Sequence, residues 1–296
     1  MPGFLSLSVE LKGVDPDSAE AACFAAGALS VTLTDAVDDA ILEPAPGEVR
    51  LWPQTVLQAL FPAAAAGPEA IVALAGALAL PAGSIRVEHV ADRVWEREWL
   101  KDFHAMRFGR RLWIVPNHEA LPADTESVTV RLDPGLAFGT GTHPSTALCL
   151  TWLDARLAPG SIVIDYGCGS GVLALAAAKL GARTVHAFDI DPQALLATRD
   201  NASANGLAGR IHVHQQATTL PAQVDVVIAN ILAGTLVGLA PRLCGHLAPG
   251  GQLILAGILK QQVHEVRAGF SAWLNLSVFA EQDGWSALSG RLGPRS

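Results

Sequence analysis

The sequence predicts an α/β protein. A doubly wound, Rossmann-like sheet with a C-terminal antiparallel hairpin follows a small α+β domain of the ferredoxin-like kind. Three observations predict it. From residue 161 onward, strands made almost wholly of Val, Ile, Leu and Ala alternate with helical segments, the pattern of a parallel sheet covered on both faces. Asp283-Gly284 splits the tail "LNLSVFAEQDGWSALSGR" into two strands, a hairpin signal. Before residue 91 the order reads β-α-β-β-α-β, a split βαβ sandwich with an open sheet face.

The elements follow in order. "FLSLSVELK" (4–12) alternates strictly, with Leu5, Leu7, Val9 and Leu11 on one face and Ser6, Ser8, Glu10 and Lys12 on the other, which marks a half-buried strand. Asp15-Pro16-Asp17 opens an Ala-rich helix that runs to about Gly27. "LSVTLTD" and "EVRLW" read as the second and third strands, 68–80 as a helix, and "SIRVEHV" (84–90) as the fourth strand. Residues 91–109, dense in charge with Trp95 and Trp99 at i,i+4, read as a connecting helix between an N-terminal domain (1–90) and the main domain (110–296). "RRLWIVP" and "SVTVRLD" are strands, and "STALCLTWLDARL" is a helix with Ala147, Leu148, Leu150 and Leu153 toward the core. The units that follow are "SIVIDYG", "VHAFDI", "IHVHQ", "DVVIAN" and "QLILAGI" as strands, separated by helices.

Charge divides the chain the same way. Residues 1–90 hold 11 acidic and 3 basic side chains, while residues 91–296 hold 17 of each, so the net charge of −8 belongs to the first third. The imbalance suits either a basic partner or a solubilising surface, and it opposes a direct grip on nucleic acid, which needs Lys and Arg. No apolar run reaches the ~18 residues of a membrane span, and no basic region followed by an apolar run suggests a secretion signal. Cys23, Cys149, Cys168 and Cys244 form no CxxC pair and read as reduced thiols of a cytoplasmic protein, not as a zinc site.

Chemistry concentrates at four motifs. "DPGLAFGTGTHPST" (133–146) packs Gly135, Gly139 and Gly141 around Phe138 and ends in Thr142-His143-Pro144, so backbone is expected to approach something closely there. "VIDYGCGSG" (163–171) is a strand, a glycine turn and a helix start, with Asp165 just before Gly167 and Gly169. Asp189 ends the next strand, 20 residues after Gly169, where a carboxylate binds ribose hydroxyls. A dinucleotide turn reads G-x-G-x-x-G. Here the turn is D-x-G-x-G-x-G, and its carboxylate would repel a pyrophosphate. It suits a ligand carrying an ammonium and a sulfonium, namely S-adenosylmethionine. "DVVIANILAG" (225–234) ends a buried strand in Asn230, which reads either as a polar group at the site or as a cap of the next helix. His212 and His214 alternate on a strand with no carboxylate or cysteine partner nearby, so no metal site is expected.

In this order the four motifs resemble the class I methyltransferases and, more narrowly, the ribosomal protein L11 methyltransferase family. "WEREW…MRFG" and the terminal "W…SGR" extend the resemblance over most of residues 90–296. The resemblance implies S-adenosylmethionine contacts at Thr146, Gly167, Asp189 and Asn230. Phe138, Thr142 and His143 would lie near the methionine end, with His143 in a positioning role and not as a base. It implies methylation of amino groups of ribosomal protein L11, both the N-terminal α-amino group and lysine ε-amino groups, to the trimethyl state. The carbonyls of Asn230 and Ile231 would hold the amine. Gln215-Gln216-Ala217-Thr218 lack the acidic residue that often binds the adenine amino group. The alternative is a class I methyltransferase acting on nucleic acid or a small metabolite. Against the first, Asn230-Ile231-Leu232-Ala233 offers no aromatic to stack a flipped base. The expected protein is a cytoplasmic monomer with no membrane contact.

Overall fold

The computed structural model describes residues 4–35, 54–62, 68–90, 104–120, 126–132 and 141–293. The chain divides into two compact units, Met1–Glu98 and Trp99–Ser296.

The first unit runs β1 (Phe4–Glu10), α1 (Pro16–Ala25), β2 (Ser30–Asp35), β3 (Thr55–Pro62), α2 (Pro68–Ala77) and β4 (Arg86–Val90). Its sheet has the order β2-β3-β1-β4 and is antiparallel throughout. Leu5, Leu7 and Val9 of β1 and Leu57, Ala59 and Phe61 of β3 are buried in one core with Cys23 of α1 and Leu74 of α2. Asp15 caps α1 by accepting from the Ser18 N–H at 3.0 Å, and Pro16 follows in the first turn. The expected third strand, "EVRLW", lies outside the described residues. The strand found in that place is Thr55–Pro62. Its period is hidden in the sequence because Val56, Leu60 and Pro62 put apolar atoms on the outer face as well.

The second unit opens with a three-stranded sheet, β5 (Met106–Phe108), β6 (Leu112–Val115) and β7 (Val128–Arg131). Residues 91–103 of the expected connecting helix lie outside the described residues, and its last part is a correction: 106–108 are strand. Gly109, at φ +66, turns the chain tightly, and Asp154 of the following helix holds the turn by accepting from the N–H of Arg110 at 2.5 Å. Helix α3 (Pro144–Arg156) comes next.

The main sheet has the order β10-β9-β8-β11-β12-β14-β13. Its strands are β8 (Ile162–Tyr166), β9 (Thr184–Phe188), β10 (Ile211–His214), β11 (Val224–Asn230), β12 (Leu247–Leu259), β13 (Ser277–Gln282) and β14 (Trp285–Arg291). β8 to β12 are parallel, while β14 runs antiparallel to both β12 and β13. Asp283 (φ +49) and Gly284 (φ +79) make the hairpin turn, as two left-handed residues must in a tight connection. The central strands bury both faces. One face packs on α3, α4 (Val172–Lys179) and α5 (Pro192–Ala204), and the other on α6 (Ala233–His246) and α7 (Val263–Phe270). Among the described residues no helix is long and apolar enough to cross a membrane.

Candidate active site

The chain leaves β8 for β9 and β10 on one side, then returns to β11 on the other. That reversal is a topological switch point, where ligands bind beyond the carboxyl ends of the strands. The motifs from "VIDYGCGSG" onward end here.

β8 leads into the glycine turn. Gly167 (φ +85), Gly169 (φ +53) and Gly171 (φ +81) are all left-handed, a conformation that disfavours side chains. The N–H groups of Gly167 and Cys168 donate to the Phe188 carbonyl at 2.8 and 2.9 Å, which pins the turn to the end of β9. Asp189 pins it again: one carboxylate oxygen accepts from the Gly169 N–H at 2.9 Å, and the other accepts from the Asp191 N–H at 3.0 Å. Two supports on α5 are missed by sequence reasoning. Thr198 donates to the Gly169 carbonyl at 3.0 Å and Asn201 to the Ser170 carbonyl at 2.9 Å. A Cβ on Gly171 would lie 2.8 Å from the Thr198 hydroxyl. Polar residues on a helix otherwise read as its solvent face, so nothing in the sequence marks them.

Asp165 is fully buried. Its Oδ2 accepts from the Ala174 N–H at 3.0 Å, while Oδ1 has no hydrogen-bond partner among the described residues. Burial raises its pKa to about 7; the bond from Ala174 opposes the rise and the nearby Asp189 charge adds to it. An unpaired oxygen in such a place is costly unless a donor arrives.

Asn230 ends β11. Its Nδ2 donates to the Thr146 hydroxyl of α3 at 3.0 Å, joining two residues 84 apart in sequence. The cap reading of Asn230 fails, because α6 begins at Ala233 with Leu232 at the cap position. Ile231 follows, and its Cγ2 occupies the space a Cβ on Gly167 would need, at 2.5 Å. His143 caps α3: its Nδ1 accepts from the Ser145 N–H at 3.3 Å and sits 2.7 Å from the Ser145 hydroxyl. Its ring meets Trp285 of β14 edge-on, with centroids 4.6 Å apart. Burial lowers its pKa, and the ring is engaged in the cap and against Trp285. Thr142 precedes it at the surface, and Phe138 lies outside the described residues. Trp285 was signalled only by the terminal motif.

His212 and His214 acquire a third histidine. His186 Nδ1 lies 3.0 Å from His214 Nε2, and its ring stacks on His212 at 5.4 Å. Burial and the two neighbouring imidazoles lower the His186 pKa to about 4. Among the described residues no group of three side chains has metal-binding geometry.

A mixed seven-stranded sheet in this order, with a glycine turn after its first strand and a carboxylate after its second, is the class I methyltransferase fold. The chain belongs to the ribosomal protein L11 methyltransferase family: residues 3–292 match the family described as "Ribosomal protein L11 methyltransferase (PrmA)". It is 50% identical over 285 residues to the ribosomal protein L11 methyltransferase of Pseudomonas aeruginosa, covering 94% of this chain and 96% of that one. It is 51% identical over 269 residues to that of Vibrio cholerae, covering 90% of each. The crystal structure of a ribosomal protein L11 methylase from Lactobacillus delbrueckii subsp. bulgaricus matches with a TM-score of 0.60 at 33% identity, covering 64% of this chain and all of that one.

The Asp165 geometry has a measurable consequence. Its folded pKa of about 7 lies above the ordinary 3.8. Between these values the folded chain keeps a proton that the unfolded chain has lost, so this group's contribution to stability falls as pH rises toward 7. Urea unfolding of wild type and Asp165→Asn at pH 5 and pH 8 measures it. The variant should gain stability relative to wild type at the higher pH. A difference independent of pH would contradict the buried, unpaired carboxylate.

Proposed function

We propose that this chain transfers methyl groups from S-adenosylmethionine to amino groups of ribosomal protein L11, at the N-terminal α-amine and at lysine ε-amines, to the trimethyl state. The observation that carries the proposal is the paired Asn230 and Thr146 at the carboxyl edge, beside a glycine turn and a buried carboxylate, one of whose oxygens has no donor among the described residues. The residues fit the methyl donor. Asp165 Oδ1 suits its ammonium, and the Asp189 carboxylate suits ribose hydroxyls. S-adenosylmethionine supplies a methyl group on a sulfonium, which is already a good leaving group.

The chain's own task is then orientation, which contributes roughly 7–11 kcal/mol in favourable cases. Thr146 accepts from Asn230 Nδ2 and so fixes the amide plane, leaving Asn230 Oδ1 as an acceptor. Oδ1 and the carbonyls of Asn230 and Ile231 accept the amine's N–H groups and aim its lone pair. A lysine with pKa near 10.4 is neutral in only about one molecule in ~2,500 at pH 7. A dry site lowers that pKa and enlarges the reactive fraction. His143 caps α3, a structural task consistent with no strong base being needed. The acidic first unit attracts the basic ribosomal protein, and the reaction takes place in the cytoplasm without a grip on nucleic acid or membrane.

Transfer of tritiated methyl groups from S-adenosylmethionine, offered to L11, ribosomal RNA and a metabolite extract in separate reactions, tests the substrate. Label is expected in L11, with a rate at low L11 concentration that falls as ionic strength rises. Label in RNA or small molecules alone would support the alternative class and overturn this reading.

Asn230→Ala is expected to lower kcat by about 10²–10³, in line with loss of one transition-state hydrogen bond, with a nearly unchanged Kd for S-adenosylmethionine. Asn230→Asp keeps the shape but favours the protonated amine, so its activity should recover only toward high pH. Full activity of the Asp variant at pH 7 would remove Asn230 from the role.

A further inference from the structure

The last ladder pair between β11 and β12 joins Asn230 to Ala256. One residue further on, Ile231 lies against Gly257. Gly257 holds φ +79, and a Cβ built on it would overlap the Ile231 carbonyl oxygen. It would also lie 2.9 Å from the Ile231 carbonyl carbon and 3.2 Å from its nitrogen. All three are backbone atoms, so no change of rotamer relieves the overlap. On its other edge β12 shifts register against β14 between Leu255 and Ile258, a bulge that bends the strand where Gly257 sits. Ile231 is therefore clamped. Its side chain fills the space beside Gly167, and its backbone fills the space beside Gly257.

We propose that Gly257 is a positioning residue for methyl transfer: it admits the Ile231 backbone against β12 and so fixes the carbonyls that hold the acceptor amine. The inference rests on the amine-holding role proposed above. A side chain at Gly257 forces the two backbones apart by a distance on the order of 1 Å, and a misplacement of that size costs about 10²-fold in rate. The displaced segment is the amine-binding one. Asp165, Asp189 and the hydrogen bonds that pin the glycine turn stand on β8, β9 and α5.

Gly250 is a control in the same strand. It has the same φ of +79, but a Cβ there would meet nothing within 4 Å. Gly250→Ala therefore carries the same backbone strain without the push on Ile231. Gly257→Ala, Gly250→Ala and wild type are to be compared by kcat on L11, Kd for S-adenosylmethionine and melting temperature. The expected result is an approximately 10²-fold loss of kcat for Gly257→Ala alone, with its Kd near the wild-type value. Equal kcat for both variants overturns the proposal. A wild-type chain that transfers nothing to L11 overturns the functional reading and this inference with it, so the two failures are distinct. Should Gly257→Ala not fold, Ile231→Ala loosens the same backbone segment by removing its side-chain contact with Gly167. A fall in kcat at unchanged Kd then supports the proposal, and an unchanged kcat overturns it.

Discussion

The site depends on how closely the strand ends approach one another. At the switch point, the turn after β8, the residue after β11 and the end of β12 are packed so tightly that two of the contacts admit only glycine. Gly167 leaves space for the Ile231 side chain and Gly257 for its backbone. A third glycine, Gly171, leaves space for Thr198, whose hydroxyl then holds the turn. Together these contacts give the described part of the carboxyl edge a defined geometry. A reaction whose leaving group needs no help gains most from such preorganisation.

The same edge carries an electrostatic cost. Asp165 has one oxygen satisfied by Ala174 and one unpaired, with the Asp189 charge nearby. A protein selected for stability alone would replace it with Asn or an apolar residue. A cationic group beside Oδ1 would offset that cost, which is why the proposed function sets a ligand's ammonium there. Asp189 is the counterpart. Both of its oxygens accept backbone N–H groups, which sets the carboxylate's orientation.

Much of the fold was legible because its signals are local. Strands rich in Val, Ile, Leu and Ala marked the parallel sheet, Asp283-Gly284 marked the hairpin, and the spacing of Asp165, Gly167 and Asp189 marked a turn and a strand end on neighbouring strands of one sheet. What stayed hidden depends on partners distant in sequence. The turn after β5 is held by Asp154, more than forty residues away. Helix α7 contains Gly269, which reads as a breaker but is where α6 approaches: a Cβ there would lie 2.9 Å from Val237 Cγ1. Thr198 and Asn201 support the glycine turn from a helix whose sequence pattern announces only packing. The meeting of Asn230 with Thr146 was likewise beyond spacing, since no pattern links a strand end to a helix start 84 residues earlier.

The central claim is that this edge methylates amines of one ribosomal protein in the cell. Intact-mass and peptide mass spectrometry of ribosomal proteins, from cells with and without this chain, tests it most directly. The account predicts that L11 alone loses mass in whole methyl units, at its N-terminal residue and at lysines, when the chain is absent. An unchanged L11, or lost methyl groups confined to ribosomal RNA or to other proteins, would contradict it.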